Sequence, residues 1–223
     1  MTADDRPLRL AHRGDGRRAP ENSLAAFAAA LAVPGCDGIE LDVRLSADGI
    51  PVVNHDDTLE RVHGRPDRVD SLSAAALDEI GVPTLAAVLA SVGPGPFLDV
   101  ELKDDPGSAP VEVLTAARGV ALERTVVSSF DGAALERVGR LRPTWPRWLN
   151  SHALGPATIA DALALGCRCV AVDWRLLDRE SVELARAAGL EVAAFTVRSR
   201  DVYDRLARFG VTAICVEDEA LDG

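Results

Sequence analysis

The sequence predicts an α/β fold, a (β/α)₈ TIM barrel with a small insertion after its second strand. Short apolar runs alternate with turns and Ala/Leu-rich helical stretches, and eight such runs favour a closed barrel over an open doubly wound sheet. No glycine-rich phosphate loop or dinucleotide fingerprint follows the first run, which counts against a nucleotide fold. The 223 residues give room for one well-buried domain, near the short end for a barrel.

The predicted strands are Leu8–Ala11, Gly38–Val43, Phe97–Leu102, Thr125–Ser129, Arg147–Leu149, Cys169–Val172, Glu191–Thr196 and Ala213–Val216. Between them fall predicted helices Ser23–Val33, Leu85–Val92, Pro110–Val120, Gly132–Leu141, Pro156–Leu165, Arg179–Ala188 and Ser199–Phe209. Asn22, Asp131, Asp178 and Ser199 stand where N-caps belong, and Gly189 and Gly210 where a left-handed C-terminal cap is needed. Little chain remains after the eighth strand, so the last helix should be short or missing. Residues 50–83 break the rhythm: an extended run, Pro51–Asn54, leads into an Arg/Asp-rich stretch, read as an insertion at the end where barrels keep their chemistry. The whole chain, 1–223, is read as a single domain.

Only 4% of the residues are aromatic, so Ala, Leu and Val must fill the core. The net charge of −11 argues against a nucleic-acid or anionic-membrane partner, because both need a cationic face. A phosphate substrate would have to be held by local positive groups. Among 24 basic residues only Lys103 is a lysine, which invites a specific role for it. Cys36, Cys167, Cys169 and Cys215 fit no zinc or disulfide pattern, and Cys167 and Cys169 are read as packing on one strand face. Met1–Arg9 has no signal-type apolar stretch and no run could span a bilayer, so a cytoplasmic, soluble protein without stable membrane insertion is expected. Monomer and homodimer are equally compatible with the sequence.

Polar residues gather at the ends of the early strands. Glu40 and Asp42 share one face of the second strand; Asp99, Glu101 and Lys103 share one face of the next, with apolar residues opposite. The charged set should point into the barrel mouth, where unpartnered carboxylates would be costly. Glu40, Asp42 and Glu101 make an all-oxygen site suited to one hard divalent cation, Mg²⁺ or Ca²⁺, with zinc less suited. A salt-bridge network with Arg13, Arg44 and Lys103 is the alternative. His12 ends the first strand and His55 opens an Asp-rich loop; both suit proton transfer near neutral pH. His63 and His152 sit in polar loops without obvious partners and read as ordinary structural residues.

The ordered set His12-Arg13-Gly14, Pro20-Glu21-Asn22-Ser23, Glu40-Leu41-Asp42-Val43, Asp48 to Asp56 and Glu101-Leu102-Lys103, followed by Ser128-Ser129-Phe130 and Phe195-Thr196-Val197, resembles the glycerophosphodiester phosphodiesterases. The resemblance implies a barrel that cleaves glycerophosphodiesters to sn-glycerol 3-phosphate and an alcohol. It implies His12 and His55 as the acid–base pair, Glu40, Asp42 and Glu101 as metal ligands, and Arg13 and Lys103 as the phosphate clamp. Glu21 would approach the metal and Asn22 would cap the first helix. Departures are Ser23, Ser46, Asp99 and Phe195, the last standing for a Trp, and Cys215-Val216-Glu217-Asp218 where the family has Thr-Asp-x-Pro. Phe195 and Trp174 are candidates for the alcohol pocket. Two rivals stay open: a metal-dependent aldolase or lyase using Lys103 as a Schiff-base amine, which leaves His12, Arg13 and His55 without roles, and a non-catalytic phosphate-binding relative.

Overall fold

Alternation along each strand decides the architecture. In the computed structural model, which describes residues 6–222, one parity set of each barrel strand packs under the helices and the other faces the barrel interior. Residues 1–5 of the Met1–Arg9 stretch lie outside the described residues. The barrel strands are β1 (Leu8–His12), β2 (Gly38–Leu45), β4 (Phe97–Leu102), β5 (Thr125–Ser129), β6 (Arg147–Ser151), β7 (Cys169–Asp173), β8 (Glu191–Val197) and β9 (Ala213–Val216). They pair in parallel in that order, and β1 pairs with both β9 and β2, which closes the ring. β3 (Pro51–Val53) lies outside the ring as an antiparallel hairpin partner of β2.

Helices α1 (Leu24–Leu31), α4 (Leu85–Val92), α5 (Ala109–Arg118), α6 (Gly132–Leu141), α7 (Pro156–Ala164), α8 (Arg179–Ala187) and α9 (Arg200–Phe209) cover the outside. Ile39, Leu41, Leu98 and Val100 pack outward with Phe27, Leu85 and Val88 in the main apolar layer. Inside the ring, Leu10, Val126, Trp148, Cys169, Ala193 and Ala213 fill the lower part. Asp131, Asp178 and Ser199 cap their helices as expected, and Gly210 takes the left-handed cap after α9. After β9 comes one 3₁₀ turn, Asp218–Ala220. Among the described residues no helix is long and apolar enough to cross a membrane.

Two sequence readings are corrected. Cys167 precedes β7 and packs in the outer layer, whereas Cys169 packs inside the barrel, so they do not share a face. Asn22 does not cap α1; Ser23 does, its hydroxyl accepting from the Ala26 amide at 3.1 Å. Both residue types suit a cap, and Asn22 is drawn instead to Asp42.

The insertion has its own framework. After β3 come α2 (Glu60–His63), a 3₁₀ turn at Val69–Ser71 and α3 (Ala74–Glu79). Val52, Leu59, Val69, Leu77 and Val82 form a separate apolar cluster beneath them.

Gly38 shows how closely the ring is drawn: a Cβ there would lie 1.9 Å from the Phe97 carbonyl oxygen on β4. The β2–β4 register would have to shift to admit one. Gly38→Ala should therefore destabilise the fold by about 3 kcal/mol, the upper end of ordinary overpacking. Urea unfolding checks this, and an unchanged midpoint contradicts it.

Candidate active site

The inward parity sets converge at the C-terminal end of the barrel. Glu40, Asp42, Asp99 and Glu101 are all buried, and their neighbours decide what each does. Glu40, Asp42 and Glu101 bring carboxylate oxygens within 4.8 Å of one another, a spacing fit for a shared cation. Glu40 Oε1 is buried with no hydrogen-bond partner, which is the condition expected of a ligand atom awaiting a positive charge. Burial, reinforced by the charges of Asp42 and Glu101, pushes the Glu40 carboxyl well above the usual range. Burial also raises Asp42, but Lys103 and Arg13 outweigh it and hold that carboxyl below the usual range. Burial pushes Asp99 up to about 7, although the Ser128 hydroxyl donates to it at 2.6 Å.

The cations are equally specific. Lys103 Nζ lies 2.9 Å from Asp42 Oδ1 and also donates to Glu101 Oε1. Arg13 places Nε 3.1 Å from Asp42 Oδ2 and donates through Nη1 to Glu21 at 3.0 Å. Its backbone is in the left-handed region (φ 58°), an uncommon conformation for a bulky residue, and its amide donates to the Glu40 carbonyl at 3.0 Å. Asn22, also left-handed (φ 59°), donates its side-chain amide to Asp42 Oδ2 at 2.8 Å. Asn22 thus orients a carboxylate. Glu21 is gripped by Arg13 and Arg61 and reaches the site through them.

Both histidines named from the sequence line the same cavity of about 440 Å³, with Arg13, Glu40, Glu101, Lys103 and Phe195. His12 holds Glu217 Oε1 at 2.5 Å through Nδ1, and its Nε2 is 3.9 Å from Glu40 Oε2. Glu217 follows β9; burial raises its carboxyl, but the bonds with His12 and Arg198 outweigh this and leave it at about 2. His55 follows β3 in the insertion and holds Asp56 Oδ1 at 2.6 Å through Nδ1. In both rings Nδ1 is tied to a carboxylate, and Nε2 is the nitrogen left for proton exchange.

Some features of the cavity were not foreseen. His152, read as structural, lines the cavity and stacks on Phe130, ring centroids 4.6 Å apart; Phe130 meets Phe195 edge-on at 5.9 Å. Trp174 lies outside this cavity, in a neighbouring one that shares Phe195 and Thr196. Arg175 and Arg205 stand over its ring, 4.9 and 5.2 Å from the centroid. The one available signal for Glu217 was position, since it follows a strand end at the same mouth as His12. Arg44, offered as a salt-bridge partner of the acid cluster, pairs instead with Asp104 at 2.9 Å.

Comparison with known proteins agrees with this geometry. The glycerophosphoryl diester phosphodiesterase family profile matches residues 12–220. A glycerophosphodiester phosphodiesterase of Caldanaerobacter subterraneus subsp. tengcongensis is 28% identical over 233 residues, covering 95% of this chain and 94% of the relative. One from Bacillus subtilis is 25% identical over 248 residues, covering 96% and 84%. The fold superposes on an Oleispira antarctica phosphodiesterase solved with its product sn-glycerol 3-phosphate, with a TM-score of 0.85, 29% identity, and 96% and 94% of the chains covered. With the family profile spanning almost the whole barrel and the acid cluster in its mouth, the chain belongs to the glycerophosphoryl diester phosphodiesterase family and is a phosphodiesterase.

Proposed function

We propose that the chain, acting as one domain over residues 1–223, hydrolyses glycerophosphodiesters to sn-glycerol 3-phosphate and an alcohol. The observation that carries this is the convergence of His12 and His55 on one cavity with the Glu40–Asp42–Glu101 cluster, Arg13 and Lys103. The all-oxygen donor set fits a hard divalent cation, Mg²⁺ or Ca²⁺, which would offset phosphate charge and polarise the P–O bonds. Arg13 and Lys103 bind and orient the phosphoryl oxygens against the negative field of the cluster.

His55 acts as the base. Burial lowers its proton affinity below the ordinary 6.5 against the opposing pull of Asp42 and Asp56, so the ring is neutral and ready to accept a proton at pH 7. It removes the proton from the glycerol 2-hydroxyl, whose oxygen bonds to phosphorus as the bond to the alcohol breaks. His12, oriented by Glu217, gives the departing alkoxide its proton. Water then opens the cyclic phosphate with the proton transfers reversed. The acid limb of kcat/KM should accordingly fall below pH 6.5. Asp56→Asn removes a carboxylate that raises the His55 affinity, so the limb should move lower still; an unmoved or raised limb rules His55 out as base.

Lys103 argues against a lyase. Burial opposes its charge, but Asp42 and Glu101 outweigh that and hold the ammonium protonated, the wrong state for a Schiff-base amine. The decisive assay is release of sn-glycerol 3-phosphate from glycerophosphocholine. Release should stop with chelator and return with Mg²⁺ or Ca²⁺, and turnover that survives chelation removes the metal role.

A further inference from the structure

His55 is carried outside the barrel ring, and a continuous line of charged groups holds its side chain. Its backbone carbonyl accepts from Nε of Arg44, a β2 residue, at 2.9 Å. That bond leaves the imidazole free to turn about its two side-chain torsions. Asp56 holds the ring through Nδ1 at 2.6 Å, and the other Asp56 oxygen, Oδ2, accepts from Arg61 Nε at 2.7 Å. Arg61 also grips Glu21 with its two remaining nitrogens, Nη1 to Oε2 at 2.8 Å and Nη2 to Oε1 at 2.6 Å. Glu21 Oε1 accepts in turn from Arg13 Nη1 at 3.0 Å, and Arg13 Nε stands 3.1 Å from Asp42. The line His55–Asp56–Arg61–Glu21–Arg13 thus joins the insertion to the β1–α1 loop.

The position of Arg61 makes it the link on which this line depends. It belongs to α2, a helix of four residues, none of them buried. Leu59, just before the helix, is anchored in the insertion's apolar cluster, but the helix itself adds nothing to that packing. Its outer reach is therefore set by polar bonds. Burial raises the Asp56 carboxyl, but Arg61 and His55 outweigh it and hold it at about 2, so Asp56 stays an acceptor for both. A guanidinium suits this task by its shape. Its planar fork bonds one carboxylate with two N–H groups while Nε–H serves another, whereas an ammonium is a point charge without a plane.

We propose that Arg61 is a positioning residue: by clamping Asp56 against Glu21 it aims the His55 ring, so that Nδ1 stays engaged and Nε2 faces the cavity. This rests on the role of His55 in the hydrolysis proposed above. Arg61 takes no part in proton transfer and acts through Asp56 on the base. A positioning defect of about an ångström costs about 10²-fold in rate. Arg61→Gln should lower kcat for glycerophosphocholine by about that factor. KM should move by less than about threefold, because Arg13 keeps both Asp42 and Glu21. The unfolding temperature should stay within about 3 °C, since exposed ion pairs contribute little. Arg61→Lys keeps the charge and loses the fork, so its kcat should stay close to that of Arg61→Gln.

The deciding measurement is a double-mutant cycle on the p-nitrophenyl ester of sn-glycerol 3-phosphate with saturating Mg²⁺. With His55→Ala present, Arg61→Gln should add a loss of less than about threefold, because no ring is left to aim. With His12→Ala present, it should again cost about 10²-fold. Nitrogen-15 correlation spectra of the histidine rings near about pH 8 give a readout that needs no turnover. In the natural protein the neutral His55 ring should carry its proton on Nδ1. In Arg61→Gln it should shift toward the Nε2–H form that an unconstrained imidazole prefers, while His12 stays unchanged. If the natural protein turns over neither diester but the tautomer still shifts, the hydrolysis reading falls and the Arg61 assignment stands. The assignment is overturned if Arg61→Gln keeps both the natural kcat and the natural tautomer. It is also overturned if Arg61→Lys restores the full rate, since charge alone would then suffice. A loss undiminished in His55→Ala overturns it as well, by routing the effect through Glu21 and Arg13 to the phosphate.

Discussion

His55→Ala and His12→Ala should each lower kcat for glycerophosphocholine by about 10²–10⁴-fold, the range expected when a positioned proton donor or acceptor is removed. Neither change should cost much stability. His55 is partly exposed and its one named side-chain partner is Asp56, which keeps its bond from Arg61. Glu217, losing His12, keeps the Arg198 guanidinium at 2.8 Å. The two variants should differ on an activated diester. A p-nitrophenyl leaving group departs without a proton, so the loss from the acid variant should shrink while that from the base variant persists. With His55 as base, the activated substrate rescues His12→Ala selectively. Rescue of His55→Ala instead reverses the assignment, and activity within tenfold of the natural protein in either variant removes that histidine from the chemistry.

The second large effect concerns Glu40, where stability and activity should move in opposite directions. Its buried carboxylate lies among Asp42, Glu101 and Asp99, and one of its oxygens has no partner. Without a cation, ionised Glu40 opposes folding; because its folded-state proton affinity is raised, that penalty is absent below the ordinary carboxylate value and grows as pH rises past it. Glu40→Gln removes the penalty. In chelator at neutral pH the variant should be more stable by about 1–2 kcal/mol, with no advantage near pH 4. With saturating Mg²⁺ its kcat/KM should fall by about 10²-fold or more if Glu40 is the ligand proposed above. Thermal scans at both pH values, paired with the release assay, check the two signs. A variant less stable in chelator and equally active would mean that Glu40 serves only the ion-pair network.

Much of this site is legible in the sequence because β-strands report side-chain direction through parity. Glu40 and Asp42, then Asp99 and Glu101, alternate with outward apolar residues, and the structure keeps that alternation without a register slip. The lone lysine likewise pairs with the acid cluster. What stays hidden depends on tertiary approach. The His12–Glu217 bond joins residues 205 positions apart, and neither local pattern hints at the other. Asn22 sits beside Ser23, and either could cap a helix; the choice is made by Asp42, which reaches Asn22 across the β1–α1 loop. His152 lines the cavity stacked on the ring of Phe130, which a different loop carries. Insertion elements such as α3 are short and irregularly spaced, so no period announces them.

The separate apolar cluster under the insertion bears on how such an enzyme can diverge. His12, the carboxylates and Lys103 belong to the ring, where a change at one strand propagates to its neighbours. His55 is carried by a hairpin whose packing rests on Val52, Leu59, Val69, Leu77 and Val82. The proposed proton-transfer pair would therefore draw one partner from the ring and the other from a hairpin that rests partly on its own cluster and partly, through Val53, on the main core. Drift within that cluster would re-aim His55 while the barrel keeps its shape.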